Sequence, residues 1–566
     1  MRRSLPLAIT LLALSSTATH AGIEPVSVPR EMVTSTSVIA SRVGLDVLHR
    51  GGNAIDAAVA VGLALAVTWP VAGNLGGGGF LLIRRADGKA EVIDFRETAP
   101  LAATRDMYLD GKGTPIVEMS TIGYRAVGVP GTVAGLALAQ SRHGKLTWAD
   151  VVRPARALAE EGFVLEAQGA LMIASQQAQL AKFPDSARVF LPAGKPPRAG
   201  DRLVQKDLAA TLARLEKDGP RDFYEGETAR RIVSDMIANH GLVTAEDLRS
   251  YQPAVRAPLV GSYRGYEVIT TPPPSSGGAI LLEMLNMLDG FPVATTAQGS
   301  ADAVHLLVEV MRRAFADRAA HMGDTDFVKV PVNGLIDKAY AASLARTIDR
   351  ARATPSSSIH AGTPPPAKES HDTTHFNVVD KDGNAVSCTY TLNGRFGSGA
   401  VAAGTGVVLN NEMDDFTSKP GAPNMYGLMQ GEANAIAPRK RPLSAMTPTM
   451  LVKDKKLVLT LGTPGGPTII TSVLQVIVNL IDFGMNLQQA IDAPRFHHQW
   501  MPDAIMTEPF GLNRDTRALL EQRGHTIMTR PPAPMYMGDV NAILVAPDGA
   551  RLGACDPRFA GQPIGD

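Results

Sequence analysis

Apolar residues recur every three or four positions through "SVIASRVGLDVLHRGGNAIDAAVAVGLALAV", which starts at Ser37, and this spacing predicts helices with a buried face. From residue 36 to about 250 such patterns alternate with short apolar strands, "GGFLLIRR" and "AEVIDFRE" among them. "SADAVHLLVEVMRRAFADRAAHM" predicts a further helix. Periodicity then fades over 353–370, where Pro, Ser, Thr and Ala mark an exposed connector. Beyond it the pattern becomes β: "THFNVVD", "AVSCTYTLN" and "KLVLTLG" read as strands, and "PTIITSVLQVIVNLIDFG" as a helix. No internal repeat is found. The alternation predicts a globular α/β protein.

The first strands after the connector specify their own register. Residues 373–380 and 384–393 flank Lys381-Asp382-Gly383, and a three-residue loop ending in glycine suits a type I turn closed by a left-handed residue. That turn pairs Asp380 with Asn384 and, counting outward, Thr373 with Thr391. Thr373, His375 and Asn377 alternate with Thr374, Phe376 and Val378, while Ser387, Thr389, Thr391 and Asn393 alternate with Val386, Cys388, Tyr390 and Leu392. Only a register of odd with odd keeps one face polar and the other apolar. A two-residue loop would set Thr373 against Leu392.

Composition narrows the function classes. The chain has 566 residues, 45% of them hydrophobic, enough to bury one or two large cores. Lys+Arg and Asp+Glu both number 55, so no overall field favours nucleic acid or a membrane surface. The N-terminus, "MRRSLPLAITLLALSSTATHA", has two arginines, an apolar run and small residues at Thr19 and Ala21, the pattern of a signal peptide over 1–21. Export to the periplasm or medium is expected. "AAVAVGLALAVTWPVAGNLGGGGF" is interrupted by Pro70 and glycines before reaching the roughly 20 apolar residues of a membrane span. Cys388 and Cys555 are too few for a disulfide framework or cysteine zinc site, and sequence leaves open whether they pair. His497-His498 lack metal-site spacing, because neighbours on a strand face opposite ways.

Two readings of "HDTTHF" compete: an ordinary hairpin edge, or an N-terminus waiting to be cut free. A threonine hydroxyl is a poor nucleophile without an adjacent base, and the α-amine of an N-terminal threonine is such a base. Its reference pKa of about 8 leaves a useful neutral fraction near pH 7. A break between Asp372 and Thr373 would create that amine.

"TTHFNVVDKDGNAVSCTYTLN", "NNEMDDF", "KRPLSAMTPT" and "LGTPGGPTII" together resemble the γ-glutamyltransferase (γ-glutamyltranspeptidase) family of N-terminal-nucleophile hydrolases. Upstream, "GNLGGGGF", "VIDFRETAP", "GVPGTVAGL", "RGYEVITTPPPSSGG" and "FVKVPVNGLIDKAYA" extend the resemblance over almost the whole mature chain. It implies a four-layer αββα sandwich. It also implies self-cleavage into a large subunit, 22–372 with a flexible connector at 353–372, and a small catalytic subunit, 373–566, associated without covalent linkage. Thr373 matches the nucleophile, Thr391 the threonine that orients it, and Gly465 and Gly466 the oxyanion-hole N–H donors. Asn393, Glu412 and Asp415 match residues that hold the donor's α-amino group, Arg96 and Ser444 those that meet its α-carboxylate. Tyr426 belongs to a lid over the site. No metal or organic cofactor is implied. The partners implied are γ-glutamyl donors such as glutathione or glutamine-like amides, and amino-acid or peptide acceptors.

Taken singly, these blocks have plainer readings. "NNEMDDF" alone is a solvated turn, Arg96 a surface arginine, and "PGGPT" a loop-to-helix turn. "GGGG" at 76–79 is no dinucleotide fingerprint, since the spaced glycines and following acid are absent. One departure stands out: Ser444 is followed by Ala445 where many members have a second serine. Two rivals follow, a cephalosporin (glutaryl) acylase of the same family and a catalytically silent exported binder of γ-glutamyl compounds.

Overall fold

The computed structural model describes residues 23–364, 375–530 and 537–566. Within it the hairpin turns as its sequence predicts. Gly383 adopts φ 89°, and the Asp380 N–H donates to Asn384 O at 3.0 Å. Strands His375–Val379 and Ala385–Thr391 pair His375 with Thr389, Phe376 with Cys388 and Asn377 with Ser387, the odd-with-odd register. Thr373, and hence its pairing with Thr391, lies outside the described residues.

Both faces of this hairpin are buried, and that fact sets the layers. Its apolar face, Phe376, Val378, Cys388 and Tyr390, packs in one core with helices Val38–His49, Ala54–Thr68 and Trp148–Glu161. Ala54–Thr68 is apolar on all sides and wholly buried, and Asn53 starts it through a capping box with Asp56. The hairpin's polar face turns inward, onto a second sheet. There Asn377 Nδ2 donates to Asn541 O at 2.8 Å, Thr460 Oγ1 to Asn377 Oδ1 at 2.7 Å and Ser387 Oγ to Leu461 O at 3.3 Å. Buried polar groups are tolerated where partners are supplied, and here the second sheet supplies them.

Each of the two sheets has seven strands. The first runs Ile564–Gly565, Met32–Thr34, His375–Val379, Ala385–Thr391, Gly78–Arg84, Ala90–Asp94, Ala254–Arg256. The second runs Val26–Val28, Arg551–Cys555, Asn541–Val545, Lys456–Gly462, Thr449–Lys453, Tyr266–Thr270, Leu259–Tyr263. Phe80, Leu82, Val92, Ile269, Met450 and Ile543 fill the space between them. Helices Ser276–Asp289, Ala301–His321 and Thr468–Ile481 cover the outer face of the second sheet. The order is therefore helix, sheet, sheet, helix: a four-layer αββα sandwich.

The connector expected to be exposed from 353 is exposed in part over its described residues: Pro355, Ser357, Ser358, His360 and Thr363 face solvent, while Ser356, Ile359 and Pro364 are buried. Thr354 Oγ1 donates to Glu309 Oε2 at 2.6 Å, and the Ser356 N–H to Asp503 Oδ2 at 2.7 Å. The Gly362 N–H donates to Asp317 Oδ1 at 2.6 Å, and Trp500 Nε1 donates to Ile359 O at 3.1 Å. A stretch poor in apolar residues is here anchored by polar groups of the buried helix Ala301–His321 and by Trp500 and Asp503, which periodicity does not register. Cys388 and Cys555 are buried and unpaired. No described helix is long and apolar enough to cross a membrane.

Candidate active site

A cavity of about 770 Å³ opens where the central strands end, and Thr391, Asn393, Glu412, Asp415, Tyr426, Gly465 and Gly466 all line it. Thr373 lies outside the described residues. Arg96 and Ser444 are fully buried and are not among the lining residues.

Thr391 closes the strand Ala385–Thr391, which pairs with Gly78–Arg84 so that Thr391 faces Gly78. The glycine run explains how the backbones come so near. A methyl group on Gly77 would collide with the Thr391 carbonyl oxygen, and one on Gly79 with that of Thr389. Asn74 Nδ2 donates to Thr391 O at 2.8 Å, and the Asn393 N–H donates to Thr391 Oγ1 at 2.8 Å. Asn393 itself is left-handed, φ 70°, a conformation asparagine tolerates better than most residues. Its Nδ2 donates to Asn411 O at 3.1 Å.

Gly465 and Gly466 lie between strand Lys456–Gly462 and helix Thr468–Ile481, at φ 140° and 59°. Neither N–H donates to a described residue. Unpaired N–H groups at a helix N-terminus are suited to meeting negative charge. Tyr426 crosses this wall: its Oη donates to Asn393 O at 2.8 Å, and a methyl on Gly466 would come within 3.1 Å of its ring.

The opposite part of the wall carries charge. Glu412–Asp415 forms a single 3₁₀ turn whose carboxylates converge on Arg96. Arg96 Nη2 donates to Asp415 Oδ2 at 2.7 Å, while Nη1 meets Glu412 Oε1 closely and Glu97 Oε2 at 3.3 Å. Three carboxyl groups thus share one guanidinium. Burial pushes Glu412 well above the usual carboxylate range; Arg96 opposes that push, and Glu97 and Asp415 add to it. Burial likewise raises Asp415, and raises Glu97 to about 7. The cluster therefore retains a proton at neutral pH. Glu412 Oε2 and Glu97 Oε1 accept from no nitrogen or hydroxyl donor among the described residues.

The sequence places Arg96 at one end of a zwitterionic ligand and the carboxylates at the other; the structure bonds them to each other. This is physically reasonable, because an amino acid's ammonium and carboxylate share one carbon atom. Arg318, which sequence reasoning missed, is the cation on the cavity wall beside this cluster. Its Nε donates to Ser276 Oγ at 2.9 Å and its Nη2 to Ser444 O at 3.4 Å, and its charge bears on Asp415. Ser276, from "PPPSSGG", thereby braces Arg318 and the Ser444 backbone. Ser444 Oγ is buried without a hydrogen-bond partner among the described residues, and Ala445 lines the cavity.

A family model described as Gamma-glutamyltranspeptidase matches residues 40–565. The chain is 49% identical over 561 residues to the glutathione hydrolase proenzyme of Pseudomonas sp. (strain A14), covering 99% of this chain and 95% of that one. It is 49% identical over 535 residues to the glutathione hydrolase proenzyme of Escherichia coli (strain K12), covering 94% and 91%. Among solved structures, cephalosporin acylase from Bacillus halodurans matches with a TM-score of 0.86 at 28% identity, covering 98% of this chain and 99% of that one. Matches of this extent, on a chain with this fold and cavity, settle the relationship: the protein belongs to the gamma-glutamyltranspeptidase family.

Proposed function

We propose that this chain is an exported, self-processing γ-glutamyltransferase and hydrolase that takes the γ-glutamyl group from glutathione and related amides. The observation that carries the reading is the single cavity that gathers Thr391, the glycine pair and the Arg96 cluster. Cleavage between Asp372 and Thr373 frees the Thr373 α-amine and divides the chain into 22–372 and 373–566, after loss of residues 1–21. The donor's ammonium docks on Glu412 and Asp415 with Asn393 beside them, supplying the positive charge that the retained proton otherwise provides. Arg96, Arg318 and Ser444 serve the α-carboxylate, and ionic hydrogen bonds of this kind are the strong ones.

With the head group fixed, the γ-carbonyl meets Thr373. The α-amine takes the hydroxyl proton, Oγ attacks the carbonyl carbon, and the oxyanion is received by the Gly465 and Gly466 N–H groups. Thr391 orients the nucleophile. The C–N bond then breaks, and the leaving amine departs with the proton. The γ-glutamyl ester on Thr373 is resolved by water or by an amino-acid or peptide amine. Tyr426 and its segment cover the site and limit access of water.

Intact mass under denaturing conditions tests the cut: two fragments meeting at 372/373 are expected for the wild type, and one chain for Thr373→Ala. Normal fragments from the variant would remove Thr373 as the self-cleaving nucleophile, and one inactive chain in both would favour the silent binder. Glutaryl acylase activity is the second reading, favoured by Ala445 on the cavity wall and by the likeness to the Bacillus halodurans acylase. Faster turnover of glutaryl than of γ-glutamyl amides would establish it. The acidic cluster supports the γ-glutamyl reading, because a glutaryl group brings no ammonium to neutralise it.

A further inference from the structure

Six charged side chains line the cavity: Arg318, Glu412 and Asp415 around the head-group cluster, and Arg395, Arg530 and Asp539 elsewhere. Arg530 stands just after strand Ile527–Thr529, its own N–H tied to Thr507 O at 2.9 Å. Its side chain is part-buried and makes no hydrogen bond or ion pair with any described residue. Burial presses its charge down, and the acid whose charge bears on it is Glu508. Glu508, however, already holds Arg558 through two bonds of 2.6 Å. Arg395, part-buried on the same cavity lining, is likewise pressed down by burial, with Tyr426 acting against it. No ion pair among the described residues joins Arg530 to Glu412 or Asp415.

A guanidinium partly removed from water without a bonded anion is costly, and a carboxylate arriving with a ligand relieves that cost through paired hydrogen bonds. Once the γ-glutamyl head occupies the acidic cluster and its carbonyl faces the glycine pair, what remains in the cavity is the leaving amine or the incoming acceptor. We infer that Arg530 forms a subsite recognising a carboxylate on the leaving group and on the acceptor. The inference rests on the proposed transferase reading and adds a substrate class: donors and acceptors that end in a free acid, such as peptide acids, over their neutral amides.

The test compares kcat/KM for glutathione with that for its C-terminal amide, in the wild type, Arg530→Gln and Arg530→Lys. The wild type is expected to prefer the acid, and Arg530→Gln to lower the acid-to-amide ratio by about tenfold, the loss of one charge-assisted contact. Arg530→Lys should recover part of the ratio. An equal effect on both substrates, or no change in the ratio, overturns the subsite. If the wild type turns over neither substrate, the transferase reading fails, and calorimetry of glycylglycine against glycylglycinamide still decides the subsite. A preference for the acid that Arg530→Gln abolishes supports it, and equal binding of the two overturns it.

Discussion

The glycine pair and the Arg96 cluster lie on one cavity and are built on opposite principles. At Gly465-Gly466 the groups proposed to act are backbone N–H donors, uncharged, fixed by a strand on one side and a helix on the other. At Arg96 they are side-chain charges removed from water, three acids to one base, with burial holding a proton among them. The first kind of site is ready before any ligand arrives and is insensitive to pH. The second is incomplete until a cation joins it, so it discriminates between ligands.

If that contrast holds, substitutions at the two places separate in kinetics. Gly465→Ala and Gly466→Ala should lower kcat on the order of 100-fold or more with little change in KM, since each spoils a proposed donor to the developing oxyanion. Steady-state kinetics on γ-glutamyl-p-nitroanilide would show it, and a pure KM effect would contradict it. Glu412→Gln should instead raise KM for γ-glutamyl donors by about tenfold or more, the worth of an ionic contact, and leave glutaryl donors much less affected.

The cluster also predicts a pH effect that the glycine pair does not. Glu97 is raised to about 7, so its charge is complete above that pH and lost below it. The ratio of γ-glutamyl to glutaryl kcat/KM should therefore fall on acidification through neutrality, by up to about tenfold per pH unit. Glu97→Gln should flatten the profile, and an unchanged slope would remove Glu97 from the account.

The smallest effect concerns Asp539, a buried carboxyl raised to about 7 that accepts from Thr36 Oγ1. The folded chain holds this proton more tightly than the unfolded chain, so the stabilisation is present in full below the ordinary carboxylate range and lost as pH rises through 7. Asp539→Asn keeps the neutral form at every pH. Its melting temperature should exceed that of the wild type by about 2 °C at pH 8 and by less at pH 5. Equal differences at both values would place the effect elsewhere.

What was legible in the sequence followed from backbone periodicity. The hairpin register was readable because a period of two and a left-handed Gly383 leave only one pairing that segregates its faces. The glycine pair was readable as a strand-to-helix junction. Less legible were features that depend on which polar groups are buried. Helix Ala301–His321 buries Glu309, Arg312, Arg313, Asp317 and Arg318, positions that a hydrophobic pattern assigns to solvent. Arg318 on the cavity wall and the anchoring of residues 354–362 were both missed for that reason. Nor did alternation reveal that the polar face of the hairpin lies against a second sheet, because pattern records contrast between faces and not what covers them.

The two sheets carry a final consequence. Both sheets combine strands from before residue 364 with strands from 375 onward: Met32–Thr34 pairs with His375–Val379, Gly78–Arg84 with Ala385–Thr391, Tyr266–Thr270 with Thr449–Lys453, and Val26–Val28 with Arg551–Cys555. Neither half contains a complete sheet. A severed molecule therefore stays assembled while it stays folded, since parting the halves means unzipping backbone ladders. Once unfolded, it must find a second chain before it can refold, so recovery becomes dependent on concentration. Cutting the chain turns a reversible unfolding into a largely one-way event, and the working lifetime of the cut form is set by how slowly it unfolds.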